Sequence, residues 1–227
     1  MTAAKFTPVA DSALLVEFGT EISDTTNRSV LALDRVLASE EIEGVNEVVP
    51  AFVNLLVTFD PAITDHERVK EAIRLLLTND PGEPPIPRRH RALVCYEGSL
   101  APDLDGVAHV SDMSVEAVIN AHLAGEYRVF MYGFAPGYAY LAGVPEPIQV
   151  PRKPTPIRDI AAGSILIAGP QCLITTLVMP TGWSIIGRSP TQVLTDDPDR
   201  PFLFDVGDEV VFERVDLATY ERLSKEG

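Results

Sequence analysis

Residues 130–190 read FMYGFAPGYAYLAGVPEPIQVPRKPTPIRDIAAGSILIAGPQCLITTLVMPTGWSIIGRSP. This stretch holds 7 of the chain's 15 glycines and 9 of its 19 prolines. Glycine permits positive φ and close backbone approach, and proline locks φ at about −65°. A segment punctuated this densely builds shaped loops between short strands and excludes a long helix. Its charge also differs from its surroundings. It carries Arg152, Lys153, Arg158 and Arg188 against Glu146 and Asp159, whereas the rest of the chain has 14 basic and 31 acidic residues. A positive island in a chain of net charge −15 is a reasonable seat for an anionic small molecule.

Around this block the pattern continues as short strands, expected at residues 91–96, 127–132, 164–168, 173–177, 183–186 and 209–214. Short helices are expected at 103–108 and 114–124, the second ending on Gly125 as its C′ residue, and a closing helix at 216–223. Many short strands at such spacing specify a barrel or a sandwich, and periodicity does not choose between them. Nearer the N-terminus, residues 13–18, 45–49 and 54–59 read as strands. Ser23 or Asp24 can cap a helix running to about residue 37, with Val30, Leu33, Val36 and Leu37 on one face. The run Thr64-Asp65-His66-Glu67 has capping-box spacing, with Glu67 set to reach the Thr64 amide. Val69, Ala72, Ile73, Leu76 and Leu77 follow as an apolar stripe. The order β-α-β-β-α gives a small two-layer α/β domain. Residues 79–87, NDPGEPPIP, exclude helix and central strand and divide a domain at 1–80 from one at 88–227; the alternative is a long surface loop. The fold class expected is α+β.

The bulk numbers are those of a globular protein: 227 residues, 46% hydrophobic and 22% charged. No apolar run approaches the ~20 residues of a membrane span, and MTAAKFTPVADSALL does not read as a secretory signal. Cys95 and Cys172 stand far apart in no metal-like spacing, as reduced thiols of a cytoplasmic protein would. The acidic balance argues against nucleic-acid and anionic-membrane partners.

Within the block, Gly133-Phe134-Ala135-Pro136-Gly137-Tyr138 follows an expected strand. Its aromatics, with Tyr140, can wall a pocket or simply fill the end of a barrel. Arg152 can grip a carboxylate bidentately and Lys153 can add a point charge, or both can be solvated. Gln171 can donate to and accept from an amide or imide. Arg188, beside Gly187, can aim at an anion or cap a turn carbonyl, and Trp183 is the chain's single tryptophan, packed in a core by default. Cys172 reads as a small buried hydrophobe, because no histidine lies in the block to activate it. No HExxH, Walker A, GxGxxG, CxxC or paired-carboxylate pattern is present. A shaped positive site with neither base nor nucleophile is part of an active site, completed by a second chain.

Four segments in order, GFAPGYAYLAGVP, VPRKPTPI, AAGSILIAGPQ and TGWSIIGRSP, resemble the allophanate hydrolase subunit 1 family. That family takes in the B-type subunit of bacterial ATP-dependent 5-oxoprolinase and a sporulation kinase inhibitor, and is similar to part of the carboxyltransferase region of urea carboxylase. The resemblance implies a cyclophilin-like barrel at 88–227 and a role as one subunit of an amide hydrolase. It implies an allophanate hydrolase subunit 2-like partner, an amide or urea-like substrate, and ATP used by the complex. It also implies a substrate site drawn from Phe134, Pro136, Gly137, Tyr138, Tyr140, Arg152, Lys153, Gln171, Trp183 and Arg188. Other members imply a kinase-inhibiting binding protein or a carboxyltransferase-like module as alternatives. The chain departs from the family pattern at Cys172-Leu173-Ile174, where relatives carry Thr-Gly-(Ile/Val), and at Thr181, where they carry glycine.

Overall fold

The structure is a computed structural model describing residues 4–78 and 82–226. Residues 79–81 of the proline-rich segment lie outside the described residues. The chain divides into two compact units, Met1–Ile86 and Pro87–Gly227.

The first unit contains β1 (Lys5–Val9), β2 (Ala13–Glu17), α1 (Asp24–Ser39), β3 (Val45–Pro50), β4 (Asn54–Phe59) and α2 (His66–Leu76). Its order is β-β-α-β-β-α, one strand more than expected. KFTPV is weakly apolar and carries Pro8, a residue confined to sheet edges, and β1 indeed edges the antiparallel sheet β1-β2-β4-β3. Period-2 alternation sends Leu14, Val16, Leu55, Val57 and Phe59 to one face. There they meet Val30, Leu33 and Leu37 of α1 and Val69 and Ile73 of α2. Ser23 caps α1 by accepting from the Thr26 amide at 3.1 Å. The capping box at Thr64 does not form. The Thr64 amide already donates to the Asp60 carbonyl at 3.0 Å, so Asp65 is the cap and accepts from the Arg68 amide at 2.9 Å. Glu67 turns instead to Lys70, 2.9 Å away.

The second unit contains β5 (Arg89–Val94), α3 (Leu104–Val110), α4 (Val115–Leu123), β6 (Tyr127–Tyr132), β7 (Ala139–Ala142) and β8 (Ile157–Ile160). It continues through β9 (Ser164–Ala168), β10 (Gln171–Ile174), β11 (Met179–Thr181), β12 (Ser184–Arg188), β13 (Glu209–Arg214) and α5 (Leu217–Glu226). Seven strands form one sheet in the order β12-β9-β10-β7-β6-β13-β5, with only β13 and β5 parallel. The two edges meet. Cys95 and Arg188 exchange backbone hydrogen bonds of 2.8 and 2.9 Å, bringing the sheet almost to a closed barrel. Gly187 allows this approach, since a Cβ there would lie 2.7 Å from Val94 Cγ1 and 3.0 Å from the Cys95 carbonyl. Gly125 follows α4, but its backbone is not left-handed; a Cβ there would strike the Tyr127 ring at 2.6 Å. Packing fixes that glycine, not helix capping. The strand expected to reach residue 177 stops at Ile174, and the short strands β7, β8 and β11 escaped the sequence reading. Each of these is three or four residues long, too short for periodicity to register.

Candidate functional site

The strand β9, SILIA, is buried along its whole length, which requires cover on both faces. Its inward residues Ile165 and Ile167 join Leu141, Cys172, Ile174 and Ile186 in the barrel core. The outward residues Leu166 and Ala168 join Leu173, Ile185, Tyr138, Ile160 and Trp183 in a second apolar cluster, against which Tyr140 and Met179 pack. The antiparallel ribbon β8–β11 contributes Ile160 and Met179 to this second cluster. Its existence explains why the loops flanking β9 and β12 are so heavily shaped.

An aromatic series runs along this outer cluster. Ring centroids lie 5.5 Å apart for Phe134 and Tyr138, 6.4 Å for Tyr138 and Tyr140, and 5.9 Å for Tyr140 and Trp183. Arg152 ends the series, its guanidinium 5.4 Å from the Trp183 ring centroid in cation–π geometry. The loop entering the series is strained. Phe134 has φ of +71°, a left-handed conformation that costs a side chain with Cβ about 1–2 kcal/mol, and the residue is 73% exposed. Gly137, at +72°, is the second left-handed residue of this turn. Pro136 is anchored through its carbonyl, which accepts from Thr176 Oγ1 at 2.7 Å. The Tyr138 hydroxyl points at the Met179 sulfur. Burial raises the Tyr138 phenol well above its ordinary value, and burial also raises Tyr140 against an opposing pull from Arg152. Both are therefore neutral hydrogen-bonding phenols at physiological pH.

Gln171 opens β10 opposite Ala168 and Ala142, and alternation puts it on the same outer face as Leu173. Lys153 lies beside the series but is committed elsewhere. Its Nζ pairs with Asp103, and its amide donates to the Gly182 carbonyl at 2.6 Å. Asp103 occupies the N-cap position of α3 without capping it; its carboxylate accepts from the Ile185 amide at 2.7 Å. Arg188 stands apart. It pairs with Ser164 while Gln171 pairs with Ala168, the other end of β9, about 13 Å away at ~3.3 Å per residue. The Arg188 Nε is buried without a hydrogen-bond partner.

A second polar group, missed in the sequence reading, lies inside the barrel. The fold carries His122 of α4 to Cys172, with Nε2 3.7 Å from Sγ, while Nδ1 meets the Tyr96 hydroxyl at 2.7 Å. Cys172 thus has a histidine after all, but not an activating one. Complete burial pulls His122 down to about 3 and pushes the Cys172 thiol far up. A neutral imidazole facing a protonated thiol is a structural pair, and no thiolate forms. The signal was present: Val118, Ile119 and His122 share the buried face of α4. Among the described residues, no three His, Cys, Asp or Glu side chains are grouped to hold a metal ion.

Residues 4–204 match the sequence profile of a family described as carboxyltransferase domain, subdomain C and D. The B-type 5-oxoprolinase subunit of Bacillus subtilis (strain 168) is 34% identical over 229 residues, covering 96% of this chain and 95% of that protein. The crystal structure of TTHA0988 superposes with a TM-score of 0.76 at 32% identity, covering 89% of this chain but only 39% of the longer one. The Kluyveromyces lactis urea carboxylase shares the fold with a TM-score of 0.82 at 18% identity, over 98% of this chain and 23% of that enzyme.

Proposed function

Because the chain belongs to the carboxyltransferase domain, subdomain C and D, family, we propose that it is the B-type subunit of an oxoprolinase- or allophanate-type hydrolase complex. It supplies one wall of the pocket for a cyclic amide or urea-like substrate. One observation carries this reading. An aromatic series whose members Tyr138 and Trp183 are buried opens to solvent at Phe134 and at the Arg152 that ends it, yet the nearest nucleophile–base pair, Cys172 and His122, is sealed in the barrel core and held neutral. Planar amides suit such a wall, since π faces bind them without reacting. The nucleophile or base, and the ATP that the family resemblance implies, then belong to the complex and to an allophanate hydrolase subunit 2-like chain. Free Cys95 and Cys172, both buried, accord with a cytoplasmic setting.

Within this reading Arg152 orients the substrate's carboxylate or carbonyl from above Trp183, and Gln171 meets the amide edge. The test is turnover of 5-oxoproline by the complex with Arg152→Ala, using exposed Arg158→Ala as control. Losing one charge-assisted contact of ~1.5–3 kcal/mol lowers kcat/KM roughly ten- to a hundredfold. Equal activity of Arg152→Ala and the parent would remove Arg152 from the site.

A further inference from the structure

We infer that Asp103 is a positioning residue for the pocket wall: acting through Lys153, its carboxylate holds Arg152 over the Trp183 ring, an inference that rests on the function proposed above for what Arg152 does there. Arg152 has no regular structure to hold it. Residues 149–156 form neither sheet strand nor helix, and Arg152 itself is exposed. An arginine on such a loop gives up rotamer freedom to stay over one ring, and an exposed cation–π contact is by itself a weak restraint. The next residue is treated differently. From 151 to 159 every residue is exposed except Lys153, which the loop turns inward. Its amide donates to the Gly182 carbonyl at 2.6 Å, immediately before Trp183, and its ammonium pairs with Asp103 Oδ2.

The same Oδ2 accepts from the Ile185 amide at 2.7 Å, two residues past Trp183, and the Asp103 amide donates back to the Ile185 carbonyl at 3.0 Å. Asp103, Lys153, Gly182, Trp183 and Ile185 thus close a ring of bonds around the platform on which the Arg152 guanidinium lies. Asp103 serves this ring instead of α3, whose N-cap position it occupies without a capping bond. The Asp103 and Lys153 side chains are only 23% and 22% exposed, so salt screens their pairing less than it would a fully solvated pair. Among the described residues Arg152 has no carboxylate partner. The arrangement therefore neutralises the lysine and leaves the arginine's charge for a ligand.

Trp183 is the chain's single tryptophan, so its fluorescence reports on Arg152 directly. Emission and acrylamide quenching of the full chain are measured for the parent, Arg152→Ala, Asp103→Asn and Lys153→Met, and for Arg152→Ala combined with each tether variant. Asp103→Asn keeps an acceptor for the Ile185 amide and removes the charge that holds Lys153. Lys153→Met leaves Asp103 in place and serves if Asp103→Asn does not fold. The expected result is that Arg152→Ala alters Trp183 emission in the parent and has no further effect once either tether residue is changed. A merely structural Asp103 would lower stability and leave the Arg152-dependent change at full size, which would overturn the tether. No emission change for Arg152→Ala in the parent would overturn it as well. Turnover of 5-oxoproline by the complex is read in parallel. Asp103→Asn should lower kcat/KM roughly ten- to a hundredfold, as Arg152→Ala does, and add little to it in the double variant. Coupled emission with parent-like turnover of Arg152→Ala would confirm the tether and overturn the function it rests on. Uncoupled emission with impaired turnover of Arg152→Ala would overturn the tether alone.

Discussion

Acid should destabilise this protein through His122 well before its carboxylates protonate. In the folded chain the imidazole is fully buried and its pKa falls from 6.5 to about 3, because nothing in the barrel core compensates for desolvating the cation. Unfolding returns it to water. Between those values the unfolded chain binds a proton that the native chain refuses, so stability falls as pH falls. The limiting slope is about 1.4 kcal/mol per pH unit, giving about 2 kcal/mol between pH 7 and 5 and about 4–5 kcal/mol by the lower end of the window. That is a large share of a typical domain's stability of about 5–15 kcal/mol. Urea unfolding at pH 7 and pH 5, for the parent and His122→Gln, isolates the effect, since every other titrating group is common to both. The parent should lose about 2 kcal/mol more than the variant. Should the variant fail to fold, the parent's His122 ring resonances, followed by NMR, must stay fixed from pH 8 to 5. Ordinary titration near 6.5 would refute the argument and open the interior to water.

Three further outcomes follow from other parts of the fold. Phe134→Asn should leave thermal stability unchanged or raise it by up to ~1 kcal/mol, because it relieves left-handed strain; a marked drop in Tm would mean that the ring supports the fold. Gly187→Ala should cost about 1–3 kcal/mol in urea unfolding, as its Cβ would collide with Val94 and the Cys95 carbonyl where the barrel closes. Asp103→Ala should cost more than Lys153→Ala, since it orphans both the Ile185 amide and the Lys153 ammonium; the larger loss, about 1–3 kcal/mol, is readable from denaturation midpoints.

Much of the fold is written locally. The stripe beginning at Val69 needed only helical periodicity, and the apolar run SILIA needed only its length to announce a strand covered on both sides. What could not be read depends on residues distant in sequence. Lys153 is neutralised by Asp103, fifty positions away, and Asp103 itself gives up helix capping to hold the edge strand at Ile185. Cys172 likewise faces His122 across fifty positions. Arg188 shares the positive block with Arg152, but Arg188 closes β12 beside Ser164 whereas Arg152 lies in a loop over Trp183, just before that strand begins, because charge clustering in sequence carries no register. The aromatic series was nearer to legible, since the glycines and prolines that shape its loops sit within the same sixty residues.

If this chain builds a pocket wall and leaves the reacting groups to a partner, activity appears only when the two are combined. Reconstitution tests it most directly. Turnover of a cyclic amide with ATP is measured for the purified chain, for the subunit 2-like chain, and for the two together. This chain alone should give no turnover, and the mixture should turn substrate over robustly. Substrate hydrolysis by the isolated chain at the rate of the mixture would contradict it.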